Sequence, residues 1–299
     1  MRVVECVPNF SEGRRPEVID QIVAEAKSVS GAVVLDVLPD YDHNRVVVTV
    51  IGEPDAVSEA VFRACRKASQ LIDMTTHKGE HPRIGATDVI PFVPLSGVSM
   101  EECITLAESL GQRISSELDI PVYLYERAAR RPERRNLAEV RRGQYEGLCQ
   151  EIGTPERQPD FGPSRMHPTA GATVVGARPP LVAFNVNLDS SDLKLAKRIA
   201  RKIRESSGGM PAVKALGVML SERNLAQVSM NLVDYSITGM YQAYKAIESA
   251  AAEAGVGIAG SEIIGLLPMQ ALVDVALQAL KVESFSPAQV LETHLHGGE

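Results

Sequence analysis

The chain lacks tryptophan altogether, and only 4% of its 299 residues are aromatic. Cysteine is scarce too: Cys6, Cys65, Cys103 and Cys149 are scattered, with no Cys-x-x-Cys pair. This distribution favours reduced, mostly buried thiols over a disulfide framework or a cysteine zinc site. Hydrophobic residues still make up 44% of the chain, which is enough to bury two medium-sized cores. The sequence therefore predicts a globular protein of two domains.

Long apolar runs are missing as well. Segments such as Leu181–Phe184 and Ile263–Leu267 are far shorter than a membrane span, which needs about 20 apolar residues. The first residues, Met1–Glu5, lack the apolar core of a signal peptide. We therefore expect no membrane partner and a cytoplasmic location.

A basic surface large enough for nucleic acid is not expected from a net charge of −7, so nucleic acid is excluded as a partner. One local exception is a cluster of arginines: Arg127, Arg130, Arg131, Arg134, Arg135, Arg141 and Arg142. The cluster fits two interpretations, a site that attracts a polyanionic small molecule or a solvated basic helix face.

Hydrophobic periodicity predicts the same element order twice. The first half reads as strand Val3–Pro8, helix Pro16–Ser28, strands Ala32–Val37 and Arg45–Ile51, helix Asp55–Ile72 and strand Asp88–Pro94, extended by helix Met100–Leu118 and strand Val122–Tyr125. The second half reads as strand Leu181–Leu188, helix Ser191–Glu205, strands Ala212–Met219 and Ala226–Leu232, helix Met240–Ala254, strand Val256–Ile264 and helix Met269–Leu280.

This repeated order predicts an α/β (α+β) fold of two similar β-α-β-β-α-β sandwich subdomains, residues 1–178 and 179–299. Between their regular parts, Gly143–Arg178 is rich in glycine, proline and polar residues and reads as a long irregular connection. If helices cover one face of each sheet, the two bare faces need partners. We expect the sheets to face each other across a ligand cleft, with the helices outside.

The segment 77–94 has the most informative composition, because two of the six histidines stand there among acidic and glycine residues. His77-x-x-Glu80-His81 matches an inverted zinc-protease pattern, which needs both imidazoles on one helical face. Gly79 lies between them, and Pro82 biases His81 away from helical backbone. General acid–base chemistry by a histidine near pH 7 is the better interpretation.

Several strings resemble the glutamate formimidoyltransferase family over nearly the whole chain. They are Glu5–Gly13, Leu71–Met74, His77–Arg83, Asp88–Val89, Pro91–Phe92, Asp160–Pro163, Gly171–Thr173, Ala183–Asn185 and Asn224–Ser229. The resemblance implies transfer of the formimidoyl group of N-formimidoyl-L-glutamate to N5 of tetrahydrofolate, with release of glutamate, in histidine breakdown. It also implies two α/β subdomains around a folate cleft and a homodimer. Because the chain stops at Glu299, we expect the monofunctional form without a cyclodeaminase domain.

Carried over to this sequence, the resemblance makes His81 the catalytic histidine. The implied folate segment is Gly162, Pro163, Ser164, Arg165, Met166, His167, Pro168, Thr169, Ala170 and Gly171. Glu80 or Asp88 is expected to orient the imidazole or to hold the positive amidine. Further substrate contacts are expected from Asn9, Asn44, Arg45 and Arg83, the arginines gripping a carboxylate bidentately.

The implied chemistry needs one proton removed from the attacking nitrogen and one given to the departing nitrogen, and one imidazole with a pKa near 7 can do both. The resemblance implies tetrahydrofolate as the co-substrate, including its polyglutamylated form, and the chemistry requires no metal. Three alternatives stay open: a formyl donor in the same cleft, a metal-dependent amidohydrolase with His77 and His81 as ligands, and a non-catalytic folate or amino-acid binding module.

Overall fold

The computed structural model describes residues 2–79 and 81–294, apart from the side chains of Glu292 and His294. The chain divides into two compact units, Met1–Pro179 and Pro180–Glu299, each with its own hydrophobic core. Both units combine helices with a sheet, so the predicted mixed α/β class in two subdomains is confirmed. None of the helices among the described residues is long and apolar enough to be a membrane span.

The first unit contains seven strands and five α-helices among its described residues. The strands are β1 Val3–Cys6, β2 Asn9–Phe10, β3 Ala32–Asp40, β4 Arg45–Gly52, β5 Thr87–Ser96, β6 Val122–Glu126 and β7 Thr173–Ala177. The helices are α1 Pro16–Lys27, α2 Pro54–Leu71, α3 Met100–Leu118, α4 Leu137–Val140 and α5 Gln144–Glu151. Local chemistry explains several boundaries: α1 and α2 begin at prolines, and Ser99 and Glu102 form a capping box at the start of α3.

The second unit contains four strands and three α-helices among its described residues. They are β8 Val182–Leu188, α6 Leu193–Ile203, β9 Val213–Leu220, β10 Leu225–Leu232, α7 Met240–Ala252, β11 Ile258–Ile264 and α8 Met269–Leu280. The sheet order is β11-β8-β10-β9, with antiparallel neighbours throughout. This is the order that a split β-α-β-β-α-β unit produces.

The first unit has the same central arrangement. Strands β1 and β2 both pair with β4 and β5, so they act as one interrupted strand in the order β3-β4-β1/β2-β5. Strand β7 then adds in parallel to β5, and β6 adds in parallel to β7. The predicted similarity of the two halves is therefore present in their sheet topology.

The prediction that Gly143–Arg178 is an irregular connection is wrong at both ends. Helix α5 lies near its start, and β7 lies near its end, inside the sheet between β5 and β6. All five residues of β7 are buried, as expected of a parallel strand covered on both faces. Such a strand shows no polar–apolar alternation, and five residues are too few for a signal in composition.

The prediction that helices cover one face of each sheet also needs correction in the first unit. Helices α1, α2 and α3 pack on one face. The opposite face of β5, β6 and β7 carries a second apolar cluster: Ile84, Val89, Tyr123, Tyr125, Val140, Leu148, Ile152, Ala172 and Val174. Residues of α4 and α5 belong to this cluster, so part of the face expected to be bare is covered by the segment after β6.

Candidate active site

One edge of the first sheet collects the polar residues expected at strand ends. Strands β2 and β3 end there, while β4 and β5 begin there, as the pairing of Asp40 with Arg45 and of Phe10 with Thr87 shows. Antiparallel neighbours necessarily bring the end of one strand beside the start of the next. The loop that contains His81 leads directly into β5 at this edge.

The His77–Arg83 loop is held against the β3–β4 turn. Asn44 Nδ2 donates to the carbonyl oxygen of Lys78 at 2.9 Å, and its Oδ1 accepts from the backbone N–H of Gly13 at 2.9 Å. A β-carbon at Gly79 would lie 2.3 Å from the carbonyl oxygen of His43, so the approach requires glycine. Asn44, predicted as a substrate contact, thus uses its amide to join three backbone segments.

His77 has both ring nitrogens engaged. Nε2 donates to the carbonyl oxygen of Asn44 at 3.0 Å, and Nδ1 accepts from Nε of Arg83 at 3.3 Å. The described residues around it form no helix. This geometry does not place His77 and His81 as two ligands of one metal. The other member of the pattern, Glu80, predicted to assist His81, lies outside the described residues.

His81 is largely buried, with 17% of its side chain exposed. Arg45 Nη1 donates to its Nε2 across 3.4 Å, and Asp88 Oδ2 lies 3.9 Å from the same nitrogen. A nitrogen that accepts a hydrogen bond is unprotonated, so this neutral ring carries its proton on Nδ1. The lone pair of Nε2 faces both the guanidinium and the carboxylate.

Asp88 is fully buried and its charge is already compensated. The backbone N–H of Ile84 donates to Oδ1 at 2.9 Å, and Arg141 donates to Oδ2. Arg141 caps α4 and reaches this site from 53 residues further along the chain. Since Arg141 neutralises the carboxylate, Asp88 orients its neighbours without drawing a proton onto His81.

Burial and positive neighbours lower the pKa of His81 from 6.5 to about 3, with Arg45, Arg141 and His43 as the neighbours. The expectation of a pKa near 7 is therefore wrong for the unliganded site. A neutral imidazole at physiological pH is poised to accept a proton and holds none to donate. Sequence reasoning missed this because the two arginines that dominate the field are distant from the histidine motif.

The two arginines predicted to grip a carboxylate differ sharply. Arg83 is buried and uses all five N–H donors: to the ring and backbone of His77, to Gln144, and twice to Glu146, at 2.7–3.3 Å. It has no donor left for substrate, which contradicts the predicted role. Arg45 donates to His81 and, at 3.3 Å, to Asn9 Oδ1, and its buried Nε has no acceptor among the described residues.

The predicted folate segment lies beside the same edge but divides into two parts. His167 and Gly171 exchange backbone hydrogen bonds around a turn, and His167 Nδ1 accepts from the N–H groups of Thr169 and Ala170. This turn packs on the residues before β5, where Ala86 N–H donates to the Ala170 carbonyl.

The other part of the segment lies further away, at the end of α3. Gly162 approaches Ser115, and Arg165 forms an exposed ion pair with Asp119 at 2.7 Å. Met166 packs against the second apolar cluster of the first unit. In the sheet order, strand β7 lies between this part and the strand that follows His81. The predicted folate segment therefore does not lie wholly beside His81.

The arginine cluster is not one surface. Arg134 is buried against Asp160 at 2.5 Å, while Arg141 is at the His81 site. Arg130 pairs with Glu108, and Arg142 is exposed beside Glu139. Neither a polyanion strip nor a solvated helix face describes these arginines, because α4 is only one turn long and the chain around it is irregular.

The chain is similar to known proteins over nearly its whole length. The sequence model "Formiminotransferase domain, N-terminal subdomain" matches residues 3–178, and "Formiminotransferase domain" matches residues 183–290. The glutamate formimidoyltransferase of Streptococcus pyogenes serotype M1 is 50% identical over 297 residues, 99% of each chain. The one from Thermoplasma acidophilum is 46% identical over 294 residues, 98% of this chain and 97% of that protein.

A longer relative matches in part. The formimidoyltransferase-cyclodeaminase of Mus musculus is 47% identical over 281 residues, which cover 92% of this chain and 52% of the mouse protein. The match extends through both units of the chain. These similarities confirm the family indicated by the sequence strings and the transferase class that goes with it. The chain belongs to the glutamate formimidoyltransferase family of enzymes.

Proposed function

We propose that this enzyme transfers the formimidoyl group of N-formimidoyl-L-glutamate to N5 of tetrahydrofolate and releases L-glutamate. The observation that carries the proposal is a buried, neutral His81 between Arg45 and Asp88 in a chain 50% identical to a glutamate formimidoyltransferase. Tetrahydrofolate is the co-substrate, and residues 162–171 contribute to its binding. The N-terminal subdomain, 1–178, carries these residues, and 179–299 forms the second.

His81 acts as the general base. When N5 attacks the formimidoyl carbon, the attacking nitrogen becomes positive and must lose its proton. The lone pair on His81 Nε2 accepts that proton, while Asp88, 3.9 Å away, stays paired with Arg141. A base of this kind contributes roughly 10²–10⁴-fold to the rate.

Arg45 connects donor binding to the strength of this base. Its Nε has no acceptor in the part of the chain that the structure describes, and its Nη1 donates weakly to His81, so a carboxylate of the donor is a better partner for the guanidinium. Pairing with a carboxylate would draw Arg45 away from Nε2 and cancel its positive field. The pKa of His81 then rises when substrate binds, which makes it a stronger base only in the loaded site.

The experiment that tests the proposed function compares three donors. Tetrahydrofolate is incubated with formimidoyl-glutamate, formyl-glutamate and formimidoyl-glycine in parallel, and folate modification is followed spectroscopically together with glutamate release. We expect turnover with the first donor and stoichiometric glutamate release. A higher kcat/KM with formyl-glutamate would overturn the formimidoyl assignment, and tight binding of both substrates without turnover would indicate a binding module.

We also propose a homodimer in the cytoplasm. Support for self-association comes from apolar side chains exposed on β3, the edge strand of the first sheet: Val33, Leu35 and Leu38. Free cysteines in place of disulfides fit a reducing compartment. Sedimentation of the purified wild-type enzyme and of the Val33→Lys variant tests the dimer.

A further inference from the structure

A second histidine lies close to His81 and carries a carboxylate partner. His43 is in the turn between β3 and β4, where its Nδ1 donates to Asp40 Oδ2 at 2.8 Å. The backbone N–H of His43 donates to the other oxygen of Asp40 at 2.9 Å. Both oxygens therefore bind the same residue, which fixes the ring relative to the turn. Burial acts against it, but these hydrogen bonds lower the pKa of Asp40 and keep it ionised.

The ring of His43 is available to a substrate. Its side chain is 47% exposed, and Nε2 has no hydrogen-bond partner among the described residues. The ring centroids of His43 and His81 are 6.3 Å apart, with planes at 68°. A small reacting centre placed between the two rings could contact both imidazoles.

Their charged surroundings are opposite. His81 faces the guanidiniums of Arg45 and Arg141, with Asp88 neutralised by the latter, so its neutral form is favoured. The ionised Asp40 lies against His43, where it can hold the positive charge of a protonated ring. One imidazole that faces two guanidiniums and another that is hydrogen-bonded to a carboxylate, at one site, are suited to separate base and acid roles.

We propose that His43 is the general acid of the reaction and that Asp40 is its positioning residue. This inference rests on the proposed function, and it assigns the proton transfer for which a neutral His81 is not suited. In the tetrahedral intermediate, His81 Nε2 takes the proton from N5. Protonated His43 gives its Nε2 proton to the glutamate nitrogen, the bond from that nitrogen to the formimidoyl carbon breaks, and its electron pair leaves with glutamate.

The protons balance over one cycle. His81 ends the step protonated and His43 ends it neutral, while the carbon–nitrogen double bond re-forms on the folate side. Transfer of the proton from His81 to His43, through the gap between the rings or through solvent, restores both groups. Neither an oxidant nor a further reactant is needed.

The test uses three variants of the whole enzyme: His43→Gln, Asp40→Asn and the control Asp42→Asn, which removes a carboxylate from the same turn. Each is assayed with formimidoyl-glutamate and with N-formimidoyl-4-fluoroglutamate, whose departing amine is less basic. We expect His43→Gln to lower kcat about 100-fold with the natural donor and about 10-fold with the fluorinated donor, because a better leaving group needs less protonation.

The pH profile gives a second readout. The wild-type kcat should fall at alkaline pH as the acid loses its proton, and this limb should be absent in His43→Gln. Asp40→Asn should lower kcat with the natural donor, since the ring loses the carboxylate that holds it, whereas Asp42→Asn should leave kcat and the profile unchanged.

Three results would overturn the inference. One is His43→Gln with wild-type kcat on both donors, another is an equal loss on both donors with an unchanged profile, and the third is an equal effect of Asp42→Asn. Failure of the wild-type enzyme to use formimidoyl-glutamate at all would instead contradict the proposed function, so the two failures are distinguishable.

Discussion

Arg141 and His81 face the same carboxylate oxygen, Oδ2 of Asp88: Arg141 donates to it, and His81 Nε2 lies 3.9 Å away. An aspartate beside a histidine usually favours the protonated ring. Here the guanidinium cancels that effect, and its own positive charge acts on the imidazole. The relationship makes the protonation state of His81 depend on Arg141, which lies 53 positions after Asp88 in sequence.

Replacing Arg141 by glutamine should therefore raise the pKa of His81, because Asp88 becomes an uncompensated partner of the imidazole. A general base is active only when unprotonated, so the acid limb of kcat/KM should move to higher pH. NMR titration of the His81 ring in the full-length variant measures the shift directly. Arg141→Lys keeps a positive charge near Asp88 and should restore most of the wild-type profile. An unmoved limb in Arg141→Gln would show that Arg141 has a structural role only.

Removing the base itself should affect turnover far more than binding. His81→Ala should lower kcat by about 10²–10⁴-fold, while the dissociation constant for tetrahydrofolate changes by no more than a few-fold. His77→Ala should affect kcat less, since its ring nitrogens bind the backbone carbonyl of Asn44 and the side chain of Arg83. Equal losses of binding and turnover would make His81 a ligand-gripping residue instead of a proton acceptor.

The depressed pKa of His81 also predicts a pH dependence of stability. Below pH 6.5 the unfolded chain protonates this histidine, while the folded protein does not until about pH 3. Unfolding then takes up a proton, so the free energy of unfolding decreases as the pH is lowered from 6.5 towards 3. At pH 4.5 the loss of stability from this group is about 3 kcal/mol.

His81→Gln removes this term, so the variant should lose less stability than the wild type between pH 8 and pH 4.5. Urea unfolding at the two pH values measures the difference, and the pH 8 comparison is the control because the wild-type imidazole is neutral there in both the folded and the unfolded state. Identical pH dependence in the two proteins would contradict a strongly lowered pKa.

Substitutions of Arg83 and of Arg45 should have different effects on stability and on KM. Arg83→Gln breaks the five-donor network and should destabilise the fold by about 1–3 kcal/mol, with no donor-specific change in KM. Arg45→Gln should leave stability nearly unchanged and raise KM for formimidoyl-glutamate, because Nε of Arg45 has no acceptor among the residues that the structure describes. Denaturant unfolding and steady-state kinetics on both variants decide between them. A selective rise in donor KM for Arg83→Gln would return the carboxylate-binding role to Arg83.

Two members of the arginine cluster form a matched pair for stability. Arg134 and its partner Asp160 each have 5% of the side chain exposed, whereas Arg142 has 71% exposed. Arg134→Gln leaves a buried carboxylate unpaired and should cost about 3 kcal/mol, while Arg142→Gln should cost less than about 0.5 kcal/mol. Thermal and denaturant unfolding provide the measurement, and equal small losses would contradict a buried ion pair.

Elements with a clear apolar period were accessible from sequence. The predicted helix Pro16–Ser28 is observed as Pro16–Lys27, because its buried stripe recurs every three or four residues and a proline marks its start. Strand β7 was missed, since a strand buried on both faces has no alternating pattern. Helix α5 was missed for a different reason: only one of its eight side chains, Leu148, is buried, so the helix has no apolar period.

The local chemistry of the site was accessible for a similar reason. Glycine and proline around His77 and His81 correctly indicated a loop, because their backbone preferences act between neighbouring residues. The sequence could not predict which histidine has free donors or acceptors, because the hydrogen-bond partners come from other strands. The sequence favours Arg83 as a substrate ligand, but in the folded protein its N–H groups donate to Glu146 and Gln144.

Periodicity and contiguous residues in the sequence were sufficient to predict the family, the repeated β-α-β-β-α-β order and the loop that contains His81. Only the tertiary structure decided the protonation state of His81, the role of Arg141 and the nearness of His43. Electrostatic interactions depend on distance through space and on burial, and folding brings these residues together from four separate segments around β3, β4, β5 and α4.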